Sequence, residues 1–401
     1  MLSAPSRPLK ILTIDGGGLQ AISTLLILDQ LLDTIKEQNG AAVKPQPCDV
    51  FDVITGIGAG GWLALLLGRF RMDTETCMKE WYTLMDCIAP RSLSEGLYRR
   101  VLKHSYFDEG RLVERIKTLA EKYGIDDQLL DLKPPEKGCR FVFVAARQSK
   151  TEDKRDKYNL FRTYRCPSDA KVLPGPANPD SFPISRAFGA TGAARYFSSA
   201  WKENISADAS VSFLDAAFPK PHNITMLALN EMWALYGRDV PISVIVNIGP
   251  GFPTDTDMSW IARRFSWGLR HSPARQKPLP SSQDNGSVEP NGSAANHRPS
   301  LKTEDSNFFV LARAYGRRNA RLQQDERDLE KKIKEELREH YAKPPEYHRL
   351  ALVISPQGTA QNDARASASI LRAVPDYLAS TSTITSMEEI SMAVKQVPAA
   401  C

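Results

Sequence analysis

No apolar run in this chain is long enough to cross a bilayer as a helix. The longest uncharged stretch, Val53 to Gly68, is short and interrupted by glycines. The N-terminal segment Met1 to Leu12 holds no extended apolar block, so a secretory leader is not expected. Cysteine is sparse: six residues, at positions 48, 77, 87, 139, 166 and 401. No two have the spacing of a metal clip, a redox pair or a disulfide framework. They read as thiols in a reducing compartment, and neither a metal nor a cofactor is expected. Cys401 does not fit a prenylation box, which needs three residues beyond the cysteine. Neither sign of charge dominates, since 52 Lys and Arg stand against 47 Asp and Glu, a net charge of +5. That permits attraction to an anionic membrane surface or a nucleic acid without demanding either, and no nucleic-acid partner is expected from the sequence as a whole. Protein partners and oligomeric state cannot be read from the sequence.

What is present is a pair of glycine turns. Leu9 to Ile14 is a short apolar run, followed by Asp15-Gly16-Gly17-Gly18 and a helical pattern from Leu19 to Ile35. Val50 to Thr55 is a second such run, followed by Gly56-Ile57-Gly58-Ala59-Gly60-Gly61 and a nearly all-apolar helix from Trp62 to Arg69. Each is a strand–turn–helix unit that aims backbone N–H groups at an anion. Helices are predicted at 73–87, 107–122, 184–194 and 224–236, and strands at 140–146, 159–165, 211–214, 241–248 and 347–354. Strands alternating with helices argue for an α/β fold with a mostly parallel sheet.

The chain divides into a core over residues 1–270, a polar segment 271–303 expected to be a disordered linker or insertion, a charged helix within 304–343, and a closing strand and helix over 344–401 that pack back on the core. The last helix is predicted at 364–377.

Taken alone, either glycine turn could pass as a dinucleotide fingerprint. That reading needs an acid about 20 positions further on, at the end of a second strand. Asp33, Glu37, Asp73, Glu75 and Glu80 all fall in helical patterns instead.

Several stretches taken together say more. Asp15-Gly16-Gly17-Gly18 resembles the oxyanion-hole turn of patatin-like phospholipases. Phe51-Asp52-Val53-Ile54, then Gly56, Gly60 and Gly61, resembles their nucleophile elbow. Ala190-Thr191-Gly192-Ala193-Ala194-Arg195-Tyr196-Phe197 is similar to a further stretch, and Phe213-Leu214-Asp215-Ala216-Ala217 falls where the family places its catalytic aspartate. The resemblance covers about residues 1–260 and 346–395. It implies a three-layer α/β/α sandwich, a lipid or acyl ligand, and a cytoplasmic protein able to meet membrane surfaces peripherally. It also implies a two-residue chemistry in which a serine attacks an ester carbonyl and an aspartate takes its proton, the oxyanion being held by backbone N–H groups. Carried over, Asp215 is the base, Gly16, Gly17 and Gly18 are the oxyanion donors, and Gly56, Gly60 and Gly61 shape the elbow. The nucleophile position is Gly58, which has no hydroxyl. Ala59, Ala216, Gln20-Ala21 and Arg195 are further departures from the family pattern. The expectation is a lipase scaffold without hydrolase activity. Two alternatives stay open: a weakly active or deliberately inactivated acyl hydrolase, and a nucleotide-binding α/β protein.

Overall fold

Short β-branched runs, buried on both faces, assemble into one mixed sheet with helices above and below it. The computed structural model describes residues 2–17, 21–103, 105, 107–132, 138–148, 157–176, 178–194, 199–204, 210–216, 223–253, 327–354 and 373–395. The strands are β1 (Leu9–Ile14), β2 (Val53–Ile57), β3 (Phe141–Gln148), β4 (Tyr158–Arg162), β5 (Trp201–Asn204), β6 (Ser210–Asp215), β7 (Ile242–Pro253) and β8 (Glu346–Ile354). Their order is β5-β6-β3-β2-β1-β7-β8, with β4 also on β3. The run β3-β2-β1-β7-β8 is parallel, whereas β4, β5 and β6 join by antiparallel pairing. β2 and β6 follow one another along the same edge of β3, because Ile57 pairs with Ala145 and Asp215 pairs with Ala146. β4 takes the opposite edge.

The helices are α1 (Ala21–Asn39), α2 (Pro47–Val50), α3 (Ala59–Ala64) with a π turn at Leu65–Arg69, α4 (Thr74–Ile88), α5 (Leu93–Tyr98) with a π turn at Arg99–Lys103, α6 (Glu109–Lys122), α7 (Ile184–Thr191) and α8 (Thr225–Tyr236). Residues 327–340 form α9, residues 373–378 form α10, and α11 is Thr381–Lys395. Alternation along the strands splits the core in two. Leu12, Ile14, Ile54, Val144 and Val246 face α1, α3, α4, α6, α7 and α11. Leu9, Ile11, Val53, Phe143 and Ile245 face α8 and α9. The result is the expected α/β/α sandwich.

Three local differences have physical causes. β2 begins at Val53 rather than Val50, because Pro47 opens a helical turn in which the Asp49 carboxylate accepts from the Gln46 amide at 3.2 Å. α5 is not among the predicted helices, although Ser92 and Glu95 form a capping signal. Ser92 Oγ accepts from the Glu95 amide (3.1 Å), and the Glu95 carboxylate accepts from the Arg91 amide (2.7 Å). The last helix is α11, beyond the predicted 364–377, of which 373–377 is helical and the rest lies outside the described residues. Its Thr- and Ser-rich opening hides a helix that buries Met387, Ile390 and Val394. The predicted linker 271–303 and most of the charged segment before 327 also lie outside the described residues.

A buried ion pair ties β4 to α8. Arg162 Nε and Nη2 donate to Glu231 Oε1 and Oε2 at 2.6 and 2.9 Å, and Tyr164 donates to the same carboxylate at 2.8 Å. Burial, reinforced by Glu231, pushes the Tyr164 hydroxyl well above the usual phenol range. Removing one partner strands a charge in the core. Arg162→Met is therefore expected to lower the unfolding free energy by about 3–5 kcal/mol, and the double variant Arg162→Met/Glu231→Leu to recover much of it, as measured by urea denaturation.

Candidate active site

β2 ends on a sharp turn. Gly58 has φ +57° and ψ −130° and caps the N-terminus of α3, its carbonyl accepting from the Trp62 amide at 3.2 Å. A residue with a side chain is strained at this φ, and glycine is not. The Gly58 amide donates to Thr191 Oγ1 (3.1 Å), whose hydroxyl donates to the Ala145 carbonyl (2.8 Å). The Trp62 indole donates to the Phe188 carbonyl at 2.7 Å, so α3 and α7 are locked together beside the turn.

The neighbouring glycines are there for close approach. A Cβ on Gly60 would lie 2.4 and 2.5 Å from the carbonyl oxygens of Ile14 and Asp15. Only a bare backbone lets the start of α3 touch the end of β1, and that contact sets the two glycine turns side by side. Gly56 faces the Gly60 carbonyl within the elbow, and Gly61 faces the Thr191 side chain. Gly16 and Gly17 follow β1 directly and are half-buried. Gly18 lies outside the described residues.

Asp215 arrives from the other direction. It ends β6, sits opposite Ala146, and its amide donates to the Ala193 carbonyl at 3.0 Å. The residue is only 8% exposed. A Cβ built on Gly58 would stand 2.6 and 2.7 Å from the two carboxylate oxygens of Asp215. The carboxylate thus fills the volume that a side chain at position 58 would claim. Among the described residues, Thr55 donates to the Phe143 carbonyl at 2.7 Å, and Ser23 and Thr24 are buried on α1. The structure therefore brings Gly58, Gly60, Gly16, Gly17 and Asp215 to one end of the sheet, the crevice beyond the C-terminal ends of parallel strands where ligands of open α/β sheets bind.

Sequence reasoning did not single out the polar network beneath the first turn. Asp15 accepts from Arg349 Nη1 at 2.6 Å and from Asn247 Nδ2 at 3.0 Å. Arg349 Nη1 also contacts the Asn247 side-chain oxygen, and Asn247 Nδ2 reaches Thr13 Oγ1 at 3.0 Å. Asn223 Nδ2 donates to the Tyr347 hydroxyl at 2.8 Å. Burial pushes the Tyr347 phenol above its ordinary range, with Arg349 pulling the other way. Gly249 lines this pair, since a Cβ there would meet Arg349 Nη2 at 3.1 Å. A signal was available: Asn247 interrupts the β-branched run of β7, and a lone amide in a buried parallel strand needs partners.

Two other features stand apart from the elbow. A cavity of about 510 Å³, lined by Phe161, Phe182, Phe213, Gln148 and Asn159 among others, lies near Pro183 and Arg186, at the other end of α7 from Thr191. Among the described residues, one group could converge on a cation: Glu336, Glu339 and His340 on α9. The His340 ring is already stacked on Trp233 at 5.0 Å.

Residues 12–200 match the family model for patatin-like phospholipase. The chain is 32% identical over 111 residues to patatin-like phospholipase 1 of Plasmodium falciparum, covering 28% of this chain and 15% of that protein. It is 29% identical over 102 residues to mouse calcium-independent phospholipase A2-gamma, covering 25% and 12%, and 37% identical over 73 residues to Arabidopsis thaliana phospholipase A I, covering 18% and 5%. The matched region is thus a small part of each of these relatives. No helix among the described residues is long and apolar enough to cross a membrane. Residues 12–200, which carry both glycine turns, the end of β1 and the strands β2, β3 and β4, are a patatin-like phospholipase domain.

Proposed function

We propose that this chain is a non-hydrolysing patatin-like protein that binds a lipid or acyl group in the crevice between the two glycine turns. One observation carries the reading: the elbow residue is Gly58, and the Asp215 carboxylate occupies the space its side chain would need. The relatives are named phospholipases, so a lipid ester is the ligand class that the resemblance supplies. In the two-residue chemistry a hydroxyl attacks the ester carbon, the aspartate takes the proton, and N–H groups receive the developing oxyanion. Here Asp215 stands as the base, and Gly16 and Gly17, with Gly18 next along the chain, are the donors. At position 58 no side chain is present to supply the attacking oxygen. A location in the cytoplasm, peripheral to membranes, fits this reading.

A second reading has Asp215 activating a water for slow ester hydrolysis. Loss of one member of a catalytic set leaves roughly 10³–10⁴-fold acceleration over water in the best-studied serine hydrolases, too little for a useful phospholipase. The nucleotide alternative draws nothing from the geometry of the crevice.

The reading is tested directly. The purified protein is expected to hydrolyse p-nitrophenyl esters and phospholipids no faster than Asp215→Ala, and to remain unlabelled by a fluorophosphonate probe. A robust rate that depends on Asp215 would overturn it. Gly58→Ser is expected to gain probe labelling and esterase activity that Asp215→Ala then abolishes, because a small swing of the carboxylate leaves a new hydroxyl within hydrogen-bond reach. Gly58→Ala is expected to cost roughly 1–3 kcal/mol in urea denaturation through the positive φ and the clash. Adding Asp215→Ala should return the steric share and leave the backbone share.

A further inference from the structure

The connection between α4 and α6 lies at the elbow end of the molecule. β2 and β3 are parallel. α3 and its π turn lead away from the end of β2, α4 returns, and α6 leads away again before β3 begins. Contacts at both ends of α6 fix this direction. Beyond its C-terminus, Asp127 holds the Ser185 amide at the start of α7 (2.9 Å). At its N-terminus, Glu109 holds the Ser199 amide (3.0 Å), past the end of α7 whose Thr191 bonds Gly58. α5 and its π turn therefore stand at the same end as the Gly58–Asp215 site.

The inner side of this segment is latched by charge. Arg99 reaches Glu95 at 3.3 Å and also contacts Asp108, while Arg111 reaches Glu95 at 2.7 Å and Asp108 at 3.3 Å. The outer side is apolar. Tyr98 and Val101 are each 54% exposed and Leu102 is 63% exposed. Tyr98 closes α5, and Val101 and Leu102 lie on the π turn that continues it, so three exposed apolar side chains fall within five residues. Single exposed apolar residues need no explanation, but a stripe beside a ligand crevice does. Arg91 and Lys103 are exposed at the two ends of the segment. Among the described residues, the inner cations Arg99 and Arg111 are matched by Glu95 and Asp108, which leaves Arg91 and Lys103 as the exposed charges at the ends of the segment. A tyrosine and aliphatic stripe flanked by basic residues is the composition of a helix lying in a lipid–water interface.

We propose that Tyr98, Val101 and Leu102, with Lys103, seat the protein on an anionic lipid surface and turn the Gly58–Asp215 crevice toward it. This rests on the lipid reading of the crevice. A second copy of the chain fits the stripe less well. A stable dimer buries about 800 Å² on each partner, more than three side chains offer, and two-fold pairing would bring the basic residues of both copies together.

The test is co-sedimentation of the full chain with vesicles of phosphatidylcholine alone and of phosphatidylcholine with phosphatidylserine. The protein is expected to bind the mixed vesicles, less so as salt rises. Val101→Asp/Leu102→Asp is expected to lower partitioning by roughly ten-fold or more, and Lys103→Glu by a factor of about five or more. Ile384→Asp/Met392→Asp, at exposed apolar positions on α11, should bind as the wild type does. Partitioning that the stripe variant leaves unchanged overturns the proposal, as does a wild-type dimer that the same variant dissociates. A parallel measurement with a monomeric lysophospholipid, below its micellar concentration, separates the two readings. If vesicles fail while lysophospholipid still binds, the docking face alone is wrong; if neither binds, the lipid reading of the crevice falls as well.

Discussion

The bare backbone of Gly60 lies against the carbonyl oxygens of Ile14 and Asp15, and the rest of the strand-end crevice is arranged around that contact. One methyl group there would push α3 off the end of β1. Without the contact, the turn at Gly16 and Gly17 and the elbow at Gly58 would be two separate features of a parallel sheet. With it, the two turns lie side by side, and the second of them meets Asp215. Sheet register supplies the third participant. β6 continues along the edge of β3 where β2 stops, so Asp215 is delivered next to Gly58 by strand pairing rather than by a flexible loop.

The same crevice has a support from far along the chain. Arg349 on β8 is 334 positions from Asp15, yet its guanidinium reaches that carboxylate at 2.6 Å over the backbone of Gly249. β8 lies beyond the 12–200 segment that matches the family, and it closes the sheet beside β7. A buried pair of this kind adds little net stability, but it fixes where the first glycine turn sits. α11 packs beside α1 on the same side of the sheet, so the C-terminal part completes the core as well as the crevice.

On the reading proposed above, a crevice with Asp215 and the first glycine turn but no hydroxyl at position 58 would hold an ester without cleaving it. The apolar stripe on α5 and its π turn stands at the same end of the molecule, where a ligand drawn from a bilayer would enter. The ion pairs of Glu95 with Arg99 and Arg111 lie behind it.

The sequence by itself determined the α/β class, both glycine turns, the strand ending at Asp215 and the glycine at position 58, because these depend on local pattern: β-branched runs, glycine clusters and helical periodicity. It also held the signals for α5, in Ser92 and Glu95, and for the Asp15 network, in Asn247, although these carry meaning only once partners are known. Tertiary structure alone decided that the Asp215 carboxylate occupies the side-chain volume of Gly58, that Arg349 meets Asp15, and that Tyr98, Val101 and Leu102 face outward at the elbow end. Each of these depends on strand order and chain direction across a hundred residues or more, or on which face of a helix is left uncovered. No local spacing encodes such relations, since they arise only when the sheet closes and its helices pack.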